Sequence, residues 1–237
     1  MRNFNPDKAL ELSGYNGKFK KSLKLILNRL SKDSSVEDLR VSAYILATAK
    51  VESDYSLQRW EADYVCGDIG VPYEDKPCQS AINYYCSNQG GKANYCNSEN
   101  LDKRNLPYFG RGAIQLTWKG NYKTYGDIIG VDLVNNPEKA LDPVVSYKVL
   151  VAYINKRTKK YIESNDWNAA RKSVNGCSTC DLSKIQQSYD MWLSILKKAK
   201  VVQLEKSKKR KVIVSVLVLT AFMFLTVFII YKSTKEK

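Results

Sequence analysis

Two glutamates nine residues apart, Glu52 and Glu61, are the residues with the clearest chemical potential. Inverting hydrolysis of a glycosidic bond needs a carboxylic acid to protonate the leaving oxygen. It also needs a carboxylate, about 6.5–9.5 Å away, to activate water on the opposite face. A carboxyl at a helix end and another on the loop that follows would face each other across a cleft. Among 24 acidic residues such a pair also arises by chance, and each glutamate alone reads as a solvated charge. The chain has no histidine. That excludes Ser-His-Asp and Cys-His catalysis and most catalytic zinc sites. Any acid–base chemistry falls to carboxylates, Lys, Tyr or Cys.

Glu52 must be placed by the helix before it. Ser35-Val-Glu-Asp38 resembles a capping box with Asp in place of Glu or Gln, and predicts a helix from about Val36 to Glu52. Its buried face would carry Leu39, Ala43, Leu46, Ala47 and Val51 or Lys50. Before it, Lys18–Leu30 sets Phe19, Leu23, Ile26, Leu27 and Leu30 at helical spacing. After it, residues 56–107 lose periodicity, as functional or cross-linked stretches do. Tyr108–Gly126 then opens on Gly110-Arg111-Gly112, where the backbone bends tightly or passes close to something. A short β-rich run should follow, fixing Gln115 and Thr117 at a surface ahead of Trp118, Asn121 and Tyr122. A short helical piece starts at Asn136-Pro137-Glu138. Asp142 and Pro143 open a helix to about Arg157. Asp166–Val174 forms another, stopped by Asn175-Gly176. Asp181 caps the last soluble helix, whose apolar side is Leu182, Ile185, Tyr189, Trp192, Leu193 and Leu196.

The 237 residues hold one domain of about 200 residues with a real core. Six cysteines form an even set: Cys66, Cys78, Cys86, Cys96, Cys177 and Cys180. Zinc would want a second pair like Cys177-Ser-Thr-Cys180, and a redox CxxC would want a preceding βαβ pattern; neither is visible. Disulfides stapling a long loop are the expectation. The net charge is +14, but eleven of 38 basic and two of 24 acidic residues lie from Lys197 onward, leaving +5 in the first 196. The excess flanks one apolar run, and no basic face with interleaved aromatics points to nucleic acid. Val212–Ile230 is nineteen uncharged residues, long enough to cross a bilayer. The expectation is therefore a single-pass protein anchored in a lipid bilayer through Val212–Tyr231. Its N-terminus lacks the apolar stretch of a signal peptide. The basic flank favours a cytoplasmic domain, whereas disulfides favour an oxidising setting such as a viral envelope, so the side of the membrane stays open.

The string Tyr108-Phe-Gly-Arg-Gly-Ala-Ile-Gln-Leu-Thr117 closely resembles the signature of family 19 glycoside hydrolases: chitinases, and phage endolysins with the same lysozyme-like domain. Asn121-Tyr122, Gly130-Val-Asp-Leu-Val-Asn-Asn-Pro137 and Val174-Asn175-Gly176 match later motifs in order, and Glu52-Ser53 matches the family's helix-ending Glu. The resemblance covers roughly residues 36–196. It implies a mainly α (α+β lysozyme-like) bilobal domain with a small β-rich cleft segment and a disulfide-stapled loop, to which the apolar run adds the expected C-terminal transmembrane helix. The divisions would be 1–35 (N-terminal helical extension), 36–196 (catalytic domain), 197–211 (basic linker), 212–231 (membrane helix) and 232–237 (tail). The implied substrate is a β-1,4-linked N-acetylglucosamine polymer, chitin or alternatively peptidoglycan, cleaved without metal or other cofactor. A non-catalytic sugar-binding envelope protein on the same scaffold is the reading from another class. By resemblance Glu52 is the general acid, Glu61 the general base, and Thr117 helps hold the attacking water. Gln115, Trp118, Asn121 and Tyr122 would line the sugar cleft, with Asn175 on the other wall and Arg111 as a brace between Gly110 and Gly112. The chain departs from the family at Val51, where His is usual, and on the final helix, where the nearest basic residue to an expected arginine is Lys184. Glu74 and Glu99 are rival bases.

Overall fold

The computed structural model describes residues 3–61, 78–86 and 96–200, with Leu204, Glu205 and Met223. The helices are α1 (Pro6–Ser13), α2 (Lys20–Leu30), α3 (Leu39–Ser53), α4 (Gln79–Cys86), α5 (Lys119–Ile129), α6 (Pro143–Tyr153), α7 (Lys159–Glu163), α8 (Trp167–Asn175) and α9 (182–200). Among the described residues β structure is limited to isolated bridges, Trp60 with Arg111, Arg111 with Leu116 and Leu101 with Pro107. The expected β-rich segment is therefore a bridged turn. Gln115 and Trp118 sit at φ 52° and 71°, which breaks any extended run there.

The axis of the fold is α3. Every residue from Val41 to Ala49 is buried. Small side chains at Ser42, Ala43, Ala47 and Ala49 let neighbours approach from all sides, and α6 and α7 both pack on it. Its start lies three residues later than the capping-box reading. Ser35 turns its hydroxyl to Asp33 (2.7 Å), and Asp38 becomes the cap, accepting from the Arg40 N–H at 2.8 Å. Its end is sharp. Asp54 and Tyr55 both adopt positive φ, and their N–H groups return to the carbonyls of Lys50 and Ala49. Tyr55 is then locked by the Trp192 indole N–H, which donates to its hydroxyl at 2.9 Å.

One cluster joins α1 and α2 (Ala9, Leu23, Leu27) to α3, α6 and α9 (Leu46, Leu150, Trp192). A second, smaller one gathers Trp60, Ala81, Phe109 and Leu141, with Trp118 against it. The predicted 142–157 helix runs as α6 to Tyr153, then a π turn at Ile154–Thr158 leads into α7. Such turns arise where packing, not local propensity, sets the winding. Here Tyr153 and Thr158 both hydrogen-bond α8 at Ser173. Two disulfides join described residues, Cys86–Cys96 and Cys177–Cys180, and Cys78 is disulfide-bonded as well. Cys66 lies outside the described residues, as do Glu74 and all of Val212–Tyr231 except Met223. Among the described residues no helix is long and apolar enough to cross a membrane.

Candidate active site

Glu52 occupies the last turn of α3, where the helix dipole disfavours a carboxylate. Arg171 offsets this: its Nη1 lies 2.5 Å from Glu52 Oε1. The arginine side chain is only 2% exposed and the glutamate 18%, so the pair is shielded while the carboxyl keeps a route to solvent. Arg171 is held in turn by the Cys180 carbonyl, which accepts from Nε at 2.7 Å, and by Asp181 at 3.9 Å. The Tyr44 hydroxyl is buried with no hydrogen-bond partner among the described residues. Burial pushes its pKa up, with the Arg171 charge lowering it and the Glu52 charge raising it.

Arg171 is the functional candidate that sequence reasoning missed. The arginine sought on the last helix is not there: Lys184 pairs with Asp181 at 2.6 Å instead. The usable signal was periodicity. Trp167, Ala170 and Val174 form the inward face of α8, and Arg171 falls on that face. A charge on an apolar stripe implies a buried partner.

Glu61 sits on the other branch of the site. Its N–H donates to the Gly110 carbonyl (2.7 Å), and Gly110 N–H donates back to Glu61 Oε2 (3.1 Å). The Gly-Arg-Gly turn is thereby tied to the chain leaving α3. Gly112 N–H reaches the Arg59 carbonyl at 2.7 Å, and Gln115 Nε2 bridges the carbonyls of Arg59 and Gly112 at 3.1 and 2.8 Å. Gln115 thus braces the turn with its amide nitrogen. Gly112 has φ 74°, and a Cβ there would meet Ser146 Oγ at 2.6 Å and the Ala140 carbonyl at 2.7 Å.

Arg111 is packed inside the turn. It is 1% exposed, lies 3.5 Å from the Phe109 ring centroid and donates to the Tyr122 hydroxyl at 2.9 Å. Tyr122 is fully buried and donates to the Phe109 carbonyl, so it supports the turn from beneath the surface. Asn121 donates to the Thr117 carbonyl at 2.8 Å, leaving Thr117 and Trp118 half-buried at the start of α5. The α5 N-terminus is satisfied by Asn100, whose Oδ1 accepts from Lys119 N–H. Asn175 is exposed at the end of α8, with Oδ1 accepting from Cys177 N–H. Glu99 is exposed on the 3-10 turn Ser98–Asn100. Among the described residues, no group of His, Cys, Asp and Glu is arranged to hold a metal.

Residues 72–170 match the family model described as chitinase class I. Endochitinase EP3 of Arabidopsis thaliana is 39% identical over 97 residues, covering 39% of this chain and 35% of its own length. Chitinase 11 of Oryza sativa subsp. japonica is 47% identical over 58 residues, covering 24% and 23%. The chain thus spans about a third or less of the curated relatives it matches. Chitinase C from Streptomyces griseus HUT6037 shares the fold, with a TM-score of 0.54 at 20% identity over 82% of this chain and 93% of that one. A bacterial family 19 chitinase aligns with a TM-score of 0.55 at 19% identity over 82% and 95%. The motif-bearing turn thus lies within a stretch, residues 72–170, that is similar to class I chitinases, on a helical fold shared with family 19 chitinases.

Proposed function

We propose that this chain is an endo-acting hydrolase of β-1,4-linked N-acetylglucosamine polymers, chitin first among them, working by inversion. Glu52 donates its proton to the glycosidic oxygen. Glu61 takes a proton from water, which attacks the anomeric carbon from the opposite face and leaves an α product. Thr117 helps hold that water, and Trp118, Asn121 and Asn175 contact the sugar. The observation that carries this reading is the carboxyl of Glu52, set at a helix end against the dipole and positioned by buried Arg171, a pair that sugar binding must open before the acid can deliver a proton. A local rule broken and compensated in this way is expected at functional positions. Glu61, with one oxygen on the Gly110 N–H, supports its own assignment by being fixed to the signature turn. The same reading keeps the bilayer anchor, supported by the nineteen uncharged residues Val212–Ile230 between basic flanks.

The test is turnover by the full chain in detergent on chitin oligosaccharides and on peptidoglycan, with the product anomer read by NMR. We expect chitin oligosaccharides to be cleaved to α-anomers and Glu52→Gln to lower kcat by about 10²–10⁴-fold. Glu61→Gln should fall comparably, while Glu99→Gln and Glu74→Gln should not. Unchanged turnover in Glu52→Gln would refute the acid assignment. Sugar binding without turnover on either polymer would make the domain a binding module, and cleavage of peptidoglycan alone would move the substrate class.

A further inference from the structure

We infer that the Cys177–Cys180 disulfide is a positioning clasp for the acid side of the site, and that thiol–disulfide exchange at it loosens Glu52. The inference rests on the proposed role of Glu52. The disulfide closes a loop between neighbours only three apart in sequence, in the segment joining α8 to α9. That segment supplies two of the three groups around Arg171: the Cys180 carbonyl on Nε and the Asp181 carboxylate near Nη2. The third is Glu52 itself. One buried guanidinium therefore has the disulfide loop on one edge and the candidate acid on the other. A guanidinium is a rigid planar fork, so fixing Nε fixes the direction of Nη1.

The loop is built to depend on the bridge. Cys180 N–H points to Cys177 Sγ (3.1 Å), Cys177 N–H is held by Asn175 Oδ1 (3.0 Å), and Asp181 adopts φ 55°. The surrounding loop has no apolar anchor: Gly176, Thr179, Cys180 and Asp181 are all exposed. Opening the bridge would leave a mobile turn, and the Cys180 carbonyl would no longer be held on a buried Nε. Cys180 is exposed and Cys177 half-buried, so a soluble thiol can reach them.

The exchange balances with a dithiol as reductant. One donor thiolate attacks a bridge sulfur, breaking the Sγ–Sγ bond and forming a mixed disulfide. The donor's second thiolate then displaces the protein sulfur. Two electrons and two protons pass to the protein, leaving two cysteine thiols and a cyclic donor disulfide. The predicted effect is a fall in kcat of about tenfold with KM within about twofold, since a hydrogen bond to a charged positioning group is lost while the sugar contacts remain.

The test uses the full chain in three forms: oxidised, treated with dithiothreitol, and Cys177→Ser/Cys180→Ser. Differential alkylation identifies which bridge has opened. Turnover on chitin oligosaccharides gives kcat and KM, and the Arg171 Nε–H NMR signal and its hydrogen exchange report the clasp independently of activity. We expect the variant and the reduced protein to share the kcat loss and to lose protection of that signal. Reoxidation should restore both, and dithiothreitol should have no further effect on kcat in the variant. Wild-type kcat in a folded variant would overturn the inference, as would an unaltered Arg171 signal after Cys177 and Cys180 are alkylated. If the variant fails to fold, partial reduction of the wild-type chain gives the same readouts. If the oxidised chain cleaves no sugar, the proposed function fails, and the Arg171 signal alone decides whether the clasp exists.

Discussion

At the scale of single residues the site is governed by one buried cation. Arg171 carries its charge at 2% exposure, with the Glu52 carboxylate as its nearest counter-charge. Truncation to Arg171→Ala strands a partly shielded carboxylate at a helix C-terminus, and breaking a buried pair in this way costs about 3–5 kcal/mol. Because Glu52 keeps 18% of its side chain exposed, the lower end is expected, about 3 kcal/mol in urea denaturation. Arg171→Lys keeps the charge but lacks the fork that spans Glu52 and the Cys180 carbonyl. It should fold with a smaller loss, about 1.5 kcal/mol, and still lose most turnover. The decisive comparison is Arg171→Ala in a Glu52→Gln background. If the two groups are energetically coupled, its cost there falls by at least about 1 kcal/mol. Strict additivity would mean that the contact contributes nothing.

At the scale of elements, the signature string works as a bridged turn wedged between the chain leaving α3 and the start of α6. Gly112 is the tightest point, and Ser146 cannot yield easily because its hydroxyl also accepts from Ala113 N–H at 2.9 Å. Gly112→Ala should therefore cost about 3 kcal/mol, combining positive-φ strain with the clash. Gly120 lies in α5, where an added Cβ would meet nothing within 4 Å, so Gly120→Ala should instead stabilise by about 0.5–1 kcal/mol. Equal denaturation midpoints for the two variants would contradict this placement. Much of the element order was legible because α2 and α9 carry their apolar residues at helical spacing, while α6 opens on Asp142-Pro143 and α8 is stopped by Asn175-Gly176. Other elements were hidden, α4 and α7 among them, and two show why. In α5, the run KGNYKTYGDII is rich in Gly and Tyr, residues of low helix propensity, and its N-terminus is capped from a distance by Asn100. In the signature turn, the alternating pattern at Ala113–Thr117 suggested a strand, yet Gln115 and Trp118 take positive φ that only the surrounding contacts impose. The pairing of Glu52 with Arg171 spans 119 residues, a distance over which no local pattern carries information.

At the scale of the whole molecule, the joints between elements are tyrosines, which make up 16 of the 237 residues. Tyr147 on α6 donates to Asp33 beyond α2 at 2.8 Å; Tyr55 after α3 accepts from Trp192 on α9; Tyr153 on α6 reaches the α8 carbonyls of Ser173 and Val174 at 3.2 Å. Tyr125 stacks on Tyr153 with centroids 4.9 Å apart. Burial is the main cause that pushes all four upward, and for Tyr125 the value reaches about 12. The Asp33 hydrogen bond and charge raise Tyr147 further. The sign follows from proton counting. Below pH about 10 folded and unfolded chains both hold these phenolic protons, so stability does not depend on them. Above it the unfolded chain releases protons that the folded chain retains, and stability falls until the folded pKa is passed. Each such tyrosine contributes a slope of up to about 1.4 kcal/mol per pH unit, and several acting together should bring cooperative alkaline unfolding between about pH 10 and 12. Urea midpoints measured from pH 8 to 11.5, alongside tyrosinate absorbance, test this. Unfolding and the bulk of tyrosine ionisation should coincide. Tyr147→Phe should lose about 1 kcal/mol near neutrality, with its hydrogen bond to Asp33, and then decline less steeply above pH 10. A wild-type midpoint that stays flat to pH 11.5 while tyrosinate accumulates would show that these joints are wet, and that the core between α3, α6 and α9 is held by its aliphatic contacts alone.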